Sequence, residues 1–455
     1  MIAPATPPEA LDETHYRRAL GDFCESRVVS AHDAIYAVGG TKLIDKSARI
    51  DRQLYDKLLQ HRLPEPIDQH MAVEGMLSLA DLETMARTVC ATASLPRRMV
   101  ARLGSPEPML RALRTVPLPA PVALKLTLMH DQNPVLLQQS LQVLLVAVYL
   151  GYRLKLPAAR LQSLATAALL RDLGMLHMDQ FLLRTPHTMA NAERRFLRAH
   201  PITSTILLRG QKVYSDEVIT AVFEHHERID GSGYPRGVGA AQISPLGQIL
   251  LSAELVAAMA NKFGEASPHH LALVLQLNQP VFPRAMAAEL LSLLQETIPG
   301  ASAGDAHLAA RQLGLLAEAF AQWAEWKDVL PTAPGTTPAH WMAARMAGLR
   351  QVLIESGTPP DQPAYLLDQV GEDEQQVADA IVMGREALWQ LISICRECLQ
   401  RWPHLAEIDV DAPSAPKGER AVAAWCTWVQ TRLAGAAPVA LPGTTGSQGS
   451  DGLVV

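Results

Sequence analysis

The residues from His225 to Gly237, reading His-His-Glu-Arg-Ile-Asp-Gly-Ser-Gly-Tyr-Pro-Arg-Gly, concentrate metal-ligating, turn-forming and anion-binding types too densely to follow from composition. A neutral imidazole offers one ring-nitrogen lone pair to a borderline divalent ion, so His225 and His226 are candidate ligands for iron, manganese or zinc. The segment Asp230-Gly231-Ser232-Gly233 predicts a tight turn with exposed backbone donors. Arg228 and Arg236 flank that turn with positive charge, a cradle suited to a phosphate or a partner carboxylate. The same residues also suit a purely structural turn, with Tyr234 packed on a bundle and Pro235 stiffening the chain.

Elements must bring such a run together with partners from elsewhere. The chain has 455 residues, is 48% hydrophobic and only 5% aromatic, and is rich in Ala, Leu, Gln and Arg runs, which favours a mainly α interior. Residues 1–70 predict a small unit, with a β-hairpin on Gly39-Gly40 and a short helix after it. A helical linker region is expected over 71–120, closed by Pro117, Pro119 and Pro121, and amphipathic patterns from Pro134 to Lys262 predict a helical bundle. The breaker segment Pro331 to Pro338 sets off a C-terminal helical region, 339–433. The small polar residues of 434–455 predict a disordered tail.

The run at 225–237 resembles the signature of HD-GYP cyclic di-GMP phosphodiesterases, and the pattern extends over about residues 125 to 325. The resemblance implies an HD-type helical bundle at 121–328, holding two or three metal ions. It places an early histidine at Gln139, a His-Asp pair at Arg171-Asp172, a lysine at Met175, a lone histidine at His200, the double histidine at His225-His226 and a late aspartate at Glu254. It also implies ligand-binding roles for Arg171, Arg228, Asp230, Gly231, Gly233, Tyr234, Pro235 and Arg236. The chain is thus expected to be a degenerate member, with Gln139, Arg171 and Met175 as the altered positions.

Chemistry sharpens that expectation. Guanidinium has no lone pair and stays charged, so Arg171 is excluded as a ligand. At about 4 Å from a divalent ion, with an effective dielectric of about 20, it would repel that ion by about 8 kcal/mol. One metal position is therefore expected to be empty, with Arg171 paired to Asp172 or to a ligand phosphate. Met175 cannot supply the charge or proton of a lysine, and loss of such a group typically costs orders of magnitude in rate. Asp172, His200, His225 and His226, with Glu254 as a further candidate, remain for one divalent metal. Adjacent helical histidines point about 100° apart, which suits two metals better than one. A single bound ion and relic histidines held by hydrogen bonds are both open.

Other features are read as structural. His32-Asp33 and His130-Asp131 copy the letters of a metal pair but sit at a hairpin and a helix start; His177, His187 and His269-His270 lack partners at ligand spacing. Cys395 and Cys398 predict packing on one helix face, and five scattered cysteines predict a reducing compartment. A net charge of −6 argues against DNA. Met1 to Arg18 does not resemble a secretory signal, and Leu141 to Gly151 is too short an apolar run to span a bilayer, so a cytoplasmic protein is expected. Three functions compete: a catalytically impaired protein that binds cyclic di-GMP or signalling partners such as diguanylate cyclases, possible as a homodimer; an active phosphodiesterase with a mononuclear or rearranged metal site; and a helical adaptor.

Overall fold

Alternating and helical spacings near the start fold into a small mixed unit. In the computed structural model, which describes residues 13–179, 191–263, 268–278, 281–294, 306–326, 337–360, 374–410 and 415–433, helix α1 (Thr14–Ser26) leads into β1 (Val29–Ala31). β1 pairs antiparallel with β4 (Met71–Val73), Val29 opposite Val73. β2 (Ile35–Tyr36) and β3 (Lys42–Ile44) form the expected hairpin around Gly39 and Gly40, whose φ values of +116° and +86° only glycine adopts readily. Asp51 caps α2 (Arg52–Leu58) by accepting the Leu54 N–H at 2.8 Å.

The stretch expected as a linker instead carries three packed helices: α3 (Leu79–Thr92), α4 (Ser94–Leu103) and α5 (Glu107–Arg114). Their apolar positions, Leu82, Ala86, Val89, Met99, Leu110 and Leu113, recur at helical spacing and are buried. After them come α6 (Ala120–Gln132), α7 (Pro134–Arg153) and α8 (Ala158–Leu170), and the three earlier helices cover α7 and α8. Helix α7 is long and apolar enough to cross a membrane, but Leu141 and Val143 to Leu150 are buried by protein on every side. It is the central core helix. Buried Lys125 on α6 pairs with Asp68, which also accepts a 2.8 Å hydrogen bond from Tyr16, so the small N-terminal elements share one body with the bundle.

After α8 the chain makes a 3-10 turn (Leu173–His177), then α9 (Asn191–Leu197), α10 (His200–Gln211), α11 (Asp216–Glu224), a loop and α12 (Pro245–Phe263). Here the first compact unit ends, at Lys262. The second contains α13 (Pro268–Leu277), α14 (Arg284–Leu294), α15 (Ala306–Ala324), α16 (Pro338–Glu355), α17 (Glu374–Arg401) and α18 (Lys417–Leu433).

The bundle expected at 121–328 therefore crosses the divide. Leu277, Leu316 and Phe320 lie in one core with Met342, Leu391 and Trp425, so α13 and α15 pack with the C-terminal helices. Cys395, Cys398 and Cys426 are buried there as core residues. The tail 434–455, residues 331–336 of the breaker segment and His187 lie outside the described residues, as do the side chains of His269 and His270.

Candidate metal and anion site

Two helix ends and one helix start converge on the site. Helix α8 stops at Leu170, leaving Arg171 at its C-cap and Asp172 just beyond; α11 stops at Glu224, leaving His225 at its C-cap; His200 opens α10. Gly174 lets the turn after Asp172 lie flat on α10. A methyl group there would come within 2.4 Å of the His200 carbonyl oxygen. Ser204 locks this contact, accepting the Gly174 N–H at 2.8 Å and donating to the Arg171 carbonyl at 2.6 Å. Asp172 is thereby held against His200.

The ligand-capable atoms of Asp172, His200, His225 and His226 all lie within 4.8 Å of one another, and all four residues are buried. The expectation that the adjacent histidines diverge is not met, because the chain leaves the helix at Glu224 and both rings turn inward, their centroids 4.1 Å apart. His200 Nδ1 lies 2.7 Å from the Leu197 carbonyl and His225 Nδ1 lies 2.6 Å from the Val222 carbonyl. A carbonyl oxygen only accepts, so each Nδ1 carries a hydrogen, and a ring in that tautomer presents an Nε2 lone pair. Those two Nε2 atoms are 3.1 Å apart, and 3.4 Å and 3.6 Å from Asp172 Oδ1.

Lone pairs aimed at one another repel unless a cation joins them. A backbone carbonyl behind each imidazole is the usual support of a metal-ligating histidine. His226 adds a buried Nδ1 with no hydrogen-bond partner among the described residues. This donor set fits one divalent ion. Burial lowers the pKa of His225, and burial with the nearby His225 and His200 rings holds His226 well below its ordinary value, so both favour the neutral, ligating form. Burial pushes Asp172 up, but the Arg171 guanidinium and the two imidazoles outweigh it, and the carboxyl sits well below the usual range.

Arg171 closes the other side. Its side chain is almost wholly buried; Nη2 lies 2.9 Å from Asp172 Oδ2, Nε donates to Glu254 at 2.6 Å and Nη1 to the Ala168 carbonyl at 2.8 Å. Glu254, a candidate ligand in the sequence, is instead the partner of a guanidinium and stands outside the four-residue cluster. Met175 is buried in the 3-10 turn, and Gln139, half-buried on α7, is not among the converging residues.

Of the two readings the sequence leaves for the glycine loop, the geometry favours the structural turn over the open cradle. Glu227, fully buried, accepts the N–H groups of Arg236 at 2.8 Å and Val238 at 3.1 Å. Glu224, also buried, accepts the Ser244 N–H at 2.8 Å and binds Arg236 Nη2 at 2.5 Å. Asp230 accepts both the N–H and the hydroxyl of Ser232. The N–H groups of Ser232, Arg236, Val238 and Ser244 are met by the protein's own carboxylates, so Asp230, Gly231, Gly233 and Arg236 shape the turn. At Gly233 a methyl group would come within 2.3 Å of the Arg228 nitrogen, and Gly231 has a φ of +79°. Tyr234 stacks on His226, centroids 4.7 Å apart. Sequence reasoning missed Ser204, Glu224 and Glu227; the two glutamates bracketing the double histidine were the available signal.

Residues 124–271 match the family model described as HD domain. This part of the chain matches an HD domain. The HD domain is similar to "Cyclic di-GMP phosphodiesterase PA4108" of Pseudomonas aeruginosa, 32% identical over 110 residues, which is 24% of this chain and 27% of that protein. It is also similar to "3'3'-cGAMP-specific phosphodiesterase 3" of Vibrio cholerae, 31% identical over 140 residues, 29% of this chain and 30% of that one. The chain thus matches less than a third of the length of either relative. The solved structure of Bd1817, an HDG"Y"P protein from Bdellovibrio bacteriovorus, aligns with 60% of this chain at 15% identity and a TM-score of 0.33.

Proposed function

We propose that this protein binds a cyclic dinucleotide, cyclic di-GMP being the first candidate, at an HD-GYP site that holds a single divalent ion and has lost most or all hydrolytic activity. It would act in cytoplasmic signalling, through the bound nucleotide or through a protein partner. The observation that carries this reading is Arg171, whose guanidinium is buried between Asp172 and Glu254 and puts a fixed positive charge where the resemblance calls for a ligand histidine.

Asp172, His200, His225 and His226 would hold the ion, which when bound supplies Lewis-acid charge to a phosphoryl oxygen and acidifies water. The chain's own residues do the rest. The Leu197 and Val222 carbonyls orient the two rings, Arg171 keeps Asp172 ionised, and Tyr234 walls the cluster on the His226 side. Met175 can neither donate a proton to a leaving alkoxide nor pair with a phosphate, so departure of the leaving group lacks help.

A second reading, a slow one-metal phosphodiesterase, is favoured by the completeness of the four-residue donor set. Metal analysis, calorimetry with cyclic di-GMP and a turnover assay on the whole chain separate the two. The expected result is one metal per chain, nucleotide binding and no turnover, with a second metal equivalent gained by the triple variant Gln139→His, Arg171→His, Met175→Lys. Turnover by the natural chain that Asp172→Ala abolishes would establish the second reading instead.

A further inference from the structure

Four arginines surround the cluster, and they divide into two kinds. Arg171 is neutralised by Asp172 and Glu254, and Arg236 by Glu224. Arg198 and Arg228 have no carboxylate partner among the described residues. Arg228 hydrogen-bonds only the Glu227 carbonyl, at 3.1 Å, while the Glu227 carboxylate is committed to loop N–H groups and Asp230 to Ser232. Arg198, two residues before His200, has a buried Nε without a hydrogen-bond partner, and its guanidinium lies over the Tyr234 ring at 5.4 Å.

The Arg198 guanidinium is thus tied through the ring face to the tyrosine that stacks on His226, and the backbone of Arg228 packs against Gly233, next to that tyrosine. Burying a donor unmet is costly, and an Arg198 guanidinium with no ion-pair partner among the described residues raises that cost. An anion relieves it. The planar fork of arginine matches the oxygens of a phosphate, and a phosphoryl group held there would sit beside the donor atoms that bind the divalent ion.

We propose that Arg198 and Arg228 form a phosphate subsite at the Tyr234 edge of the histidine cluster, with Arg198 supplying the positive charge that Met175 cannot; this rests on the dinucleotide reading above. Arg198 then acts as a phosphate-binding residue, and Tyr234 holds its guanidinium in place.

The test is calorimetry on the full chain loaded with manganese, titrated with cyclic di-GMP and separately with inorganic phosphate. Arg198→Gln is expected to weaken both by about tenfold or more, the scale of a lost charge-assisted hydrogen bond. Arg195→Gln, an exposed neighbour on α9, is expected to leave both within about twofold, with metal content equal in all three proteins. Equal losses in the two variants, or Arg198→Gln within about twofold of the natural chain, would overturn the subsite. Phosphate binding lost in Arg198→Gln, with no cyclic di-GMP binding by the natural chain, would keep the subsite and remove the dinucleotide reading. A natural chain that binds neither ligand removes both. If Arg198→Gln does not fold, Arg198→Lys, which keeps the charge without the fork, must show a partial loss of affinity; unchanged affinity counts against the proposal.

Discussion

The two oxygens of Asp172 face two different solutions to the same electrostatic problem. Oδ2 meets a cation that belongs to the chain, the Arg171 guanidinium at 2.9 Å, which Glu254 also contacts. Oδ1 meets two imidazoles at 3.4 Å and 3.6 Å, a side whose positive charge comes from outside the fixed charges of the chain, as a bound proton or a metal ion. On one side the carboxylate is committed to a salt bridge, while on the other its neighbours keep a converging donor set.

The comparison breaks most sharply at Arg171. Arg171→Ala leaves Asp172 and Glu254 buried together without a cation, and a loss of about 3–5 kcal/mol in urea unfolding is expected. A loss below about 1 kcal/mol would mean that the two carboxylates do not depend on the guanidinium. Next comes Gly174→Ala, whose methyl group must push the turn off the His200 carbonyl; about 1–3 kcal/mol and a drop in bound metal are expected, by unfolding and elemental analysis. Retained metal would show that Asp172 reaches the cluster without this contact.

Glu227→Gln should cost about 1–3 kcal/mol, because an amide offers one acceptor oxygen where the carboxylate meets two N–H donors. Faster hydrogen exchange at Arg236 and Val238 would locate the loss. Unchanged exchange there would restore the open cradle.

The smallest expected effect is a slope with pH. His225 and His226 titrate below their ordinary value of 6.5 in the folded protein, so below that pH the unfolded chain binds more protons. Stability without metal should be full above about pH 6.5 and decline as the pH falls towards their folded values. Asp172 has the same sign but a lower window: its contribution is present above 3.8 and is lost as the pH falls through its depressed value. Thermal melts in chelator between about pH 8 and 5 measure this slope, and His226→Phe should flatten it. A flat profile in the natural chain would contradict neutral buried imidazoles.

Much of the fold was legible. The hairpin followed from two adjacent glycines, the buried α7 from an apolar run, and the HD domain from the residues at 225–237. The helices of 71–120 were recognised as helical but taken for a linker, since periodicity shows an apolar face and not what covers it. The grouping of α13 and α15 with the C-terminal helices was equally invisible, because a shared core is a property of contacts. At the site, the sequence names Asp172, His200, His225 and His226, and the structure brings their ligand-capable atoms together. Glu254 pairs with Arg171 instead, and a carboxylate looks the same to a metal as to a guanidinium until its distance to each is known.

What the sequence determined by itself was chemistry by type. Arg171 and Met175 cannot do the work of a histidine and a lysine, and the residues of one donor set are present. Only the tertiary structure decided where each charge finds its partner. Two helices end at Leu170 and Glu224, so side chains that helical spacing would send apart turn inward together, and Glu227 fills the loop that the glycines open. Ligand identity is written in residue types, whereas convergence depends on where backbones stop and turn, which long-range packing sets.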